Sequence, residues 1–175
     1  NFSVKMLTVF VITYLLIEKG LFNYTGNREN NYYCVPLYTS TTLLRLRDQL
    51  KDETLFKRFL RNYNKYNALN LAALVKFGTV EFRHMEGTLD ANRIKKWIKV
   101  LLSIKKFAKK YENIDPQIII DRVCMDYEEL FAEIIDPKIE YINSFWPATH
   151  LAFRDMVEGA RYAQLIAVAH PENKS

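Results

Sequence analysis

The run Thr79-Val80-Glu81-Phe82-Arg83 holds the residues best suited to do chemistry. It alternates, with Val80 and Phe82 apolar and Thr79, Glu81 and Arg83 polar, which is the period of an extended strand. Side chains two apart on a strand leave the same face. Glu81 and Arg83 are therefore expected side by side, a carboxylate next to a guanidinium on a rigid support. That pair suits phosphoryl chemistry. A carboxylate can hold Mg2+, which takes one or two carboxylates together with phosphate oxygens. A guanidinium can grip phosphate oxygens in bidentate fashion. The competing reading is an ion pair on a solvated sheet face.

Other residues could join them. Asn70 lies on a second strand pattern, Asn67-Ala68-Leu69-Asn70-Leu71, and either faces the same cleft or serves as a hydrogen-bonded edge residue. Arg28, close to Asn31 and Tyr33, is a candidate for holding an anion, against a plain surface loop. Gly87-Thr88 reads as a tight turn without the glycine richness and lysine of a P-loop. His84 should point away from Glu81, into the core or behind the site. Cys34 is expected to be structural, with a thiol near Arg28 as the alternative. The lysines Lys95, Lys99, Lys106 and Lys110 read as a solvated helix face rather than a nucleic-acid interface. No Ser-His-Asp or Cys-His arrangement stands out.

The elements that must position these groups can be read from the pattern around them. Residues 2–19 read as a helix apolar on most sides, hence buried, with Gly20 as its stop. Loop chemistry fills 23–40, with Asn23, Thr25, Gly26, Asn27, Asn30, Asn31 and Pro36. A basic, leucine-rich helix is predicted over 42–62, including Leu55. Two short strands come next, near 66–72 and 77–85, joined near Lys76-Phe77. Asp90 is a good N-cap for a helix from Ala91 to about Tyr111. Its predicted buried stripe is Ile94, Trp97, Ile98, Leu101, Ile104 and Ala108. That helix carries eight cationic side chains and no acid, whereas 112–140 has nine acids and two bases. The two segments are therefore expected to pair. Asp115-Pro116 starts another helix. Pro137 and Pro147 punctuate the stretch beyond it, a last helix covers about 149–169, and Pro171 to Ser175 is a tail.

Composition bounds the rest. With 175 residues, 49% hydrophobic and 26% charged, the chain can bury a real core and is not disordered. Five glycines and five prolines favour helix over a turn-rich β protein. A net charge of +5 permits an anionic partner without requiring one. Cys34 and Cys124 make no disulfide framework and fit a reducing, cytoplasmic compartment. The histidines, His84, His150 and His170, are too far apart for a local zinc motif. The apolar run Met6 to Ile17 is too short to span a bilayer and lacks a cleavage site. The first residue, Asn1, is compatible with a processed chain or with a fragment.

A family resemblance adds to this reading. The segments Lys65 to Leu71, Gly78-Thr79-Val80-Glu81-Phe82-Arg83, Gly87-Thr88-Leu89-Asp90 and Trp97 resemble the amidoligases, carboxylate–amine ligases related to glutamine synthetase and γ-glutamylcysteine synthetase. The upstream Arg28-x-x-Asn31-x-Tyr33-Cys34-x-Pro36 is similar to that family's preceding loop. The likeness covers about residues 20–110. It implies an α+β fold with a short antiparallel sheet packed by helices, and a partial amidoligase-like catalytic domain over 1–112. The pattern of the chain outside the likeness adds the rest of a helix-rich fold, an all-helical C-terminal extension over 113–175. The implied reaction uses ATP and Mg2+ and forms an amide through an acyl phosphate. Glu81 would be the metal ligand, Arg83 a phosphate or carboxylate clamp, and Arg28, Asn70, Thr79 and Thr88 would line the nucleotide or substrate cleft. The substrates implied are ATP and a small carboxylate and amine, or a peptide. Family members carry an earlier Glu-x-Glu-type strand and a Gly-x-His-x-His-type strand, so a preceding region or a partner chain is expected to complete the site. The rival expectation is a non-catalytic assembly protein on the same scaffold, phage-encoded and virion-associated.

Overall fold

The architecture comes from a computed structural model that describes residues 2–50 and 53–168, and within that range the side chains of 53 and 55 are left aside. The expectations for Leu55, for the end of the last helix, for His170 and for the Pro171–Ser175 tail fall outside the described residues. Among the described residues, seven α-helices and one two-stranded antiparallel sheet make the helix-rich α+β fold anticipated from sequence.

Helix α1 (Val4–Tyr24) is the axis of the molecule. The Ser3 hydroxyl caps it by accepting from the Met6 N–H at 3.1 Å. Sixteen of its residues are buried, from Met6 to Phe22, because the run is apolar on every side. Its two buried threonines satisfy themselves by donating to carbonyls one turn back, Thr8 to Val4 and Thr13 to Val9. No helix of the described residues is long and apolar enough to cross a membrane.

Gly20 is not the stop. The helix runs through it, and the missing Cβ leaves room for the Trp146 ring, which a methyl group there would strike. Termination comes at Gly26 and Asn27, both with positive φ (95° and 55°), where the Asn27 N–H returns to the Phe22 carbonyl at 2.7 Å.

The basic segment predicted as one helix is two, α2 (Thr42–Gln49) and α3 (Glu53–Arg61). Strands β1 (Leu69–Asn70) and β2 (Glu81–Phe82) are shorter than the ranges 66–72 and 77–85. Between them lies α4 (Ala73–Phe77), a single turn too short to show a period, closed by Gly78 in the left-handed region (φ 66°). Register pairs Leu69 with Phe82 and Asn70 with Glu81, and Arg83 N–H to the Ala68 carbonyl (2.8 Å) continues it. On the other edge of β1 the loop after α1 adds a parallel bridge, Val35 to Asn67.

Helix α5 (Ala91–Lys110) starts where Asp90 accepts from the Asn92 and Arg93 N–H groups. Its buried face is Trp97, Val100, Ser103, Ile104, Phe107 and Ala108. This rotates the predicted stripe, for Ile94 and Ile98 are exposed. Helix α6 (Pro116–Ile134) begins on Asp115 as expected and kinks at Asp126, whose carboxylate the Arg122 guanidinium holds at 2.8 Å. Helix α7 (Thr149–Ala167) lies closest to α1, its Gly159 seated on the backbone of Leu15 and Leu16. Together α5, α6 and α7 enclose α1, and one hydrophobic core contains residues from before and after position 112.

Candidate active site

Strand β2 aims Glu81 and Arg83 to one side, and the hairpin pairing brings Asn70 up beside them. The Arg83 Nη2 lies 2.9 Å from Glu81 Oε1, and Asn70 Nδ2 donates to Glu81 Oε2 at 2.7 Å. The Asn70 Oδ1 accepts from the Ala72 N–H at 3.0 Å, which turns the amide so that its nitrogen faces the carboxylate. Both oxygens of Glu81 are thus held by donors. The Glu81 side chain is 45% exposed and that of Arg83 28%. They form a half-open polar ledge, neither sealed in the core nor splayed into solvent. Arg83 Nε is buried and has no hydrogen-bond partner among the described residues, so within them the guanidinium keeps an unused donor.

The remaining sequence candidates are distributed around this ledge. Arg28 reaches the segment after β2 and donates from Nη1 to the Met85 carbonyl at 3.1 Å. Thr79 is exposed, two residues before Glu81. Thr88 serves the next turn, its hydroxyl accepting from the Asp90 N–H at 3.1 Å. Asn31 folds its own loop by accepting from the Tyr33 N–H. Cys34 is fully buried, and burial pushes its thiol up, with the Arg28 charge opposing. The basic helix face does meet acids, with Lys110 on Glu133, Lys109 on Glu112 and Lys96 on Glu140.

Sequence reasoning missed a buried polar chain directly behind the ledge. Glu18, 1% exposed, lies within the apolar run of α1. It accepts from the Tyr14 hydroxyl (2.6 Å) and from the Leu37 and Tyr38 N–H groups (2.5 and 3.2 Å). Burial lifts its carboxyl to about 7, with these three donors pulling the other way. His84 Nε2 sits 3.1 Å from the Tyr14 oxygen. A tyrosine hydroxyl has one hydrogen; when Glu18 is ionised that hydrogen goes to Glu18, and His84 Nε2 then donates to Tyr14. The ring is packed among Tyr14, Phe22, Phe82 and Trp97. Burial, with the nearby Arg28 charge, drops its pKa to about 3. The one available signal was Glu18 four residues after Tyr14, a spacing that stacks them on one helix face.

Fit to a metal can be judged from the donor set. Glu81 is one carboxylate, and among the described residues no three His, Cys, Asp or Glu side chains converge to hold an ion. The cluster fits one ligand arm for Mg2+ and an anion clamp, and does not by itself fit a multi-magnesium centre.

A carboxylate, a guanidinium and an amide thus meet on a two-stranded sheet carried by a helical α+β body. The sequence pattern of a family described as "putative amidoligase enzyme" matches residues 6–105, more than half of the chain. The chain belongs to the amidoligase family. The matched span begins earlier than the motifs alone indicated, so it takes in α1 with Tyr14 and Glu18 as well as the ledge. Comparison with curated proteins and with solved structures gave no match.

Proposed function

We propose that this chain contributes the Glu81–Arg83 ledge to an ATP- and Mg2+-dependent carboxylate–amine ligase. The observation that carries the reading is the Asn70–Glu81–Arg83 cluster lying inside the family-matched segment. Mg-ATP, when bound, supplies the phosphoryl group that activates a carboxylate as an acyl phosphate, from which an amine then displaces phosphate. The chain's own groups have simpler tasks. Arg83 offers its guanidinium, including the unpartnered Nε, to a phosphate or to the substrate carboxylate. Glu81 would give up its Arg83 contact to hold a cation, while the Asn70 amide keeps the carboxylate oriented. Further cation ligands come from a preceding region or from a partner chain. Glu81→Gln in a protein competent for amide formation is expected to abolish product, and full retained turnover would exclude the metal role.

The saturation of Glu81 by Arg83 and Asn70 favours a second reading, in which the cluster is a closed structural ion pair on a non-catalytic assembly protein. Calorimetric titration with Mg-ATP separates the two, since magnesium-dependent binding counts against a pure scaffold.

A further inference from the structure

We infer that Glu18 is the positioning residue of the ledge, an inference that rests on the ligase reading only for its functional consequence. The case is geometric. One buried carboxylate collects hydrogen bonds from two separate parts of the site. Leu37 and Tyr38 end the loop that carries Arg28, and their N–H groups bind the two oxygens of Glu18. Tyr14 donates to the same carboxylate and accepts from His84, the residue next to Arg83 on the site strand. Arg28 closes the ring by donating to Met85, the residue after His84. The circuit Glu18–Tyr14–His84–Met85–Arg28–loop–Glu18 thus ties Arg28, and the backbone that follows Arg83, to α1.

A carboxylate in a helix interior carries a desolvation cost that an apolar side chain of the same size avoids. What it adds is direction. The carboxylate fixes two backbone N–H groups and, through a phenol, one imidazole, and no hydrocarbon does that. Among the described residues His84 Nδ1 is buried without a hydrogen-bond partner, so the ring's polar anchorage there is the Tyr14 bond.

The test uses the full chain with Tyr14→Phe and Glu18→Gln, folding being followed by thermal unfolding. Nitrogen-15 spectra report the His84 ring and the Arg28 and Arg83 Nε–H groups. In the wild type above pH 7, where Glu18 is ionised, His84 should be neutral with its proton on Nε2. Tyr14→Phe should remove that preference and shift both arginine signals, although Tyr14 touches neither. Glu18→Gln should shift the same signals together with the Leu37 and Tyr38 amides. In either variant Mg-ATP affinity should fall about tenfold, the loss expected for one charge-assisted hydrogen bond. A folded Tyr14→Phe protein with unchanged His84 and arginine spectra would overturn the inference. Absence of Mg-ATP binding in the wild type would overturn the ligase reading instead, and the spectra would still decide the positioning role. If both variants fail to fold, Glu18→Asp, which retains the acceptor on a shorter arm, takes their place. Shifted arginine signals there support the inference, and unchanged ones contradict it.

Discussion

Glu18 and His84 titrate in opposite senses, and their joint effect on stability can be worked out residue by residue. Burial raises Glu18 from 4.5 to about 7. Between those values the folded chain binds more protons than the unfolded one, so this group makes stability fall as pH rises. Burial lowers His84 from 6.5 to about 3. Between those values the unfolded chain binds more protons, so this group makes stability rise with pH. The two nearly cancel from pH 4.5 to 6.5. Glu18→Gln should leave His84 unopposed, and stability relative to the wild type should climb by about 1.4 kcal/mol per pH unit across that window. Urea unfolding at pH 4.5, 5.5 and 6.5 measures it, and parallel profiles for the two proteins would contradict the assignment. The ledge itself was legible in the sequence because strand alternation assigns Glu81 and Arg83 to one face without tertiary information. Glu18 was not, since a single acid near the end of an apolar helix reads as its solvent edge until the packing of α7 and the 28–38 loop is known.

Elements explain where the patterns misled. Gly20 resembled a helix terminus, yet its lack of a side chain serves the Trp146 ring, itself fixed by donation from Nε1 to Asp155 at 3.0 Å. Gly159 does the same for the crossing of α7 on α1. Gly159→Ala should force the helices apart and destabilise by about 1–3 kcal/mol, the usual range for overpacking. A melting temperature equal to the wild type would show that the crossing can relax. The stripe of α5 was misplaced because that helix carries isoleucine and leucine around most of its circumference. Periodicity finds an apolar face, and here two faces qualify; contact with α1 selects the one bearing Trp97, Val100 and Phe107. Caps were read correctly at Asp90 and Asp115, since capping is local chemistry. Helix α4 and the break between α2 and α3 are shorter than the windows on which periodicity depends.

At the scale of the whole molecule, the segregated charges of the second half are put together by folding. Glu133 receives Lys110, Tyr111 (2.5 Å) and Arg122 (2.7 Å) from both sides of the α5–α6 turn. Burial raises its carboxyl, but these donors outweigh it and bring it down to about 2. Its stabilisation is present above pH 4.5 and is lost as pH falls from 4.5 toward 2. Glu133→Gln should therefore lower the melting temperature at pH 7 and leave it nearly unchanged at pH 2; an equal loss at both would assign the effect to packing rather than charge. The same partly exposed pairs should weaken in high salt.

For Glu81, proposed above as part of a magnesium–nucleotide site, the stability of Glu81→Gln is a poor test, because a half-exposed ion pair contributes only about 0–1 kcal/mol. Calorimetric titration of Mg-ATP into the wild-type and Glu81→Gln proteins, with and without chelator, tests that role directly. Binding is expected for the wild type, removed by chelator and missing in the variant. Equal binding by both proteins, or binding indifferent to magnesium, would refute the role.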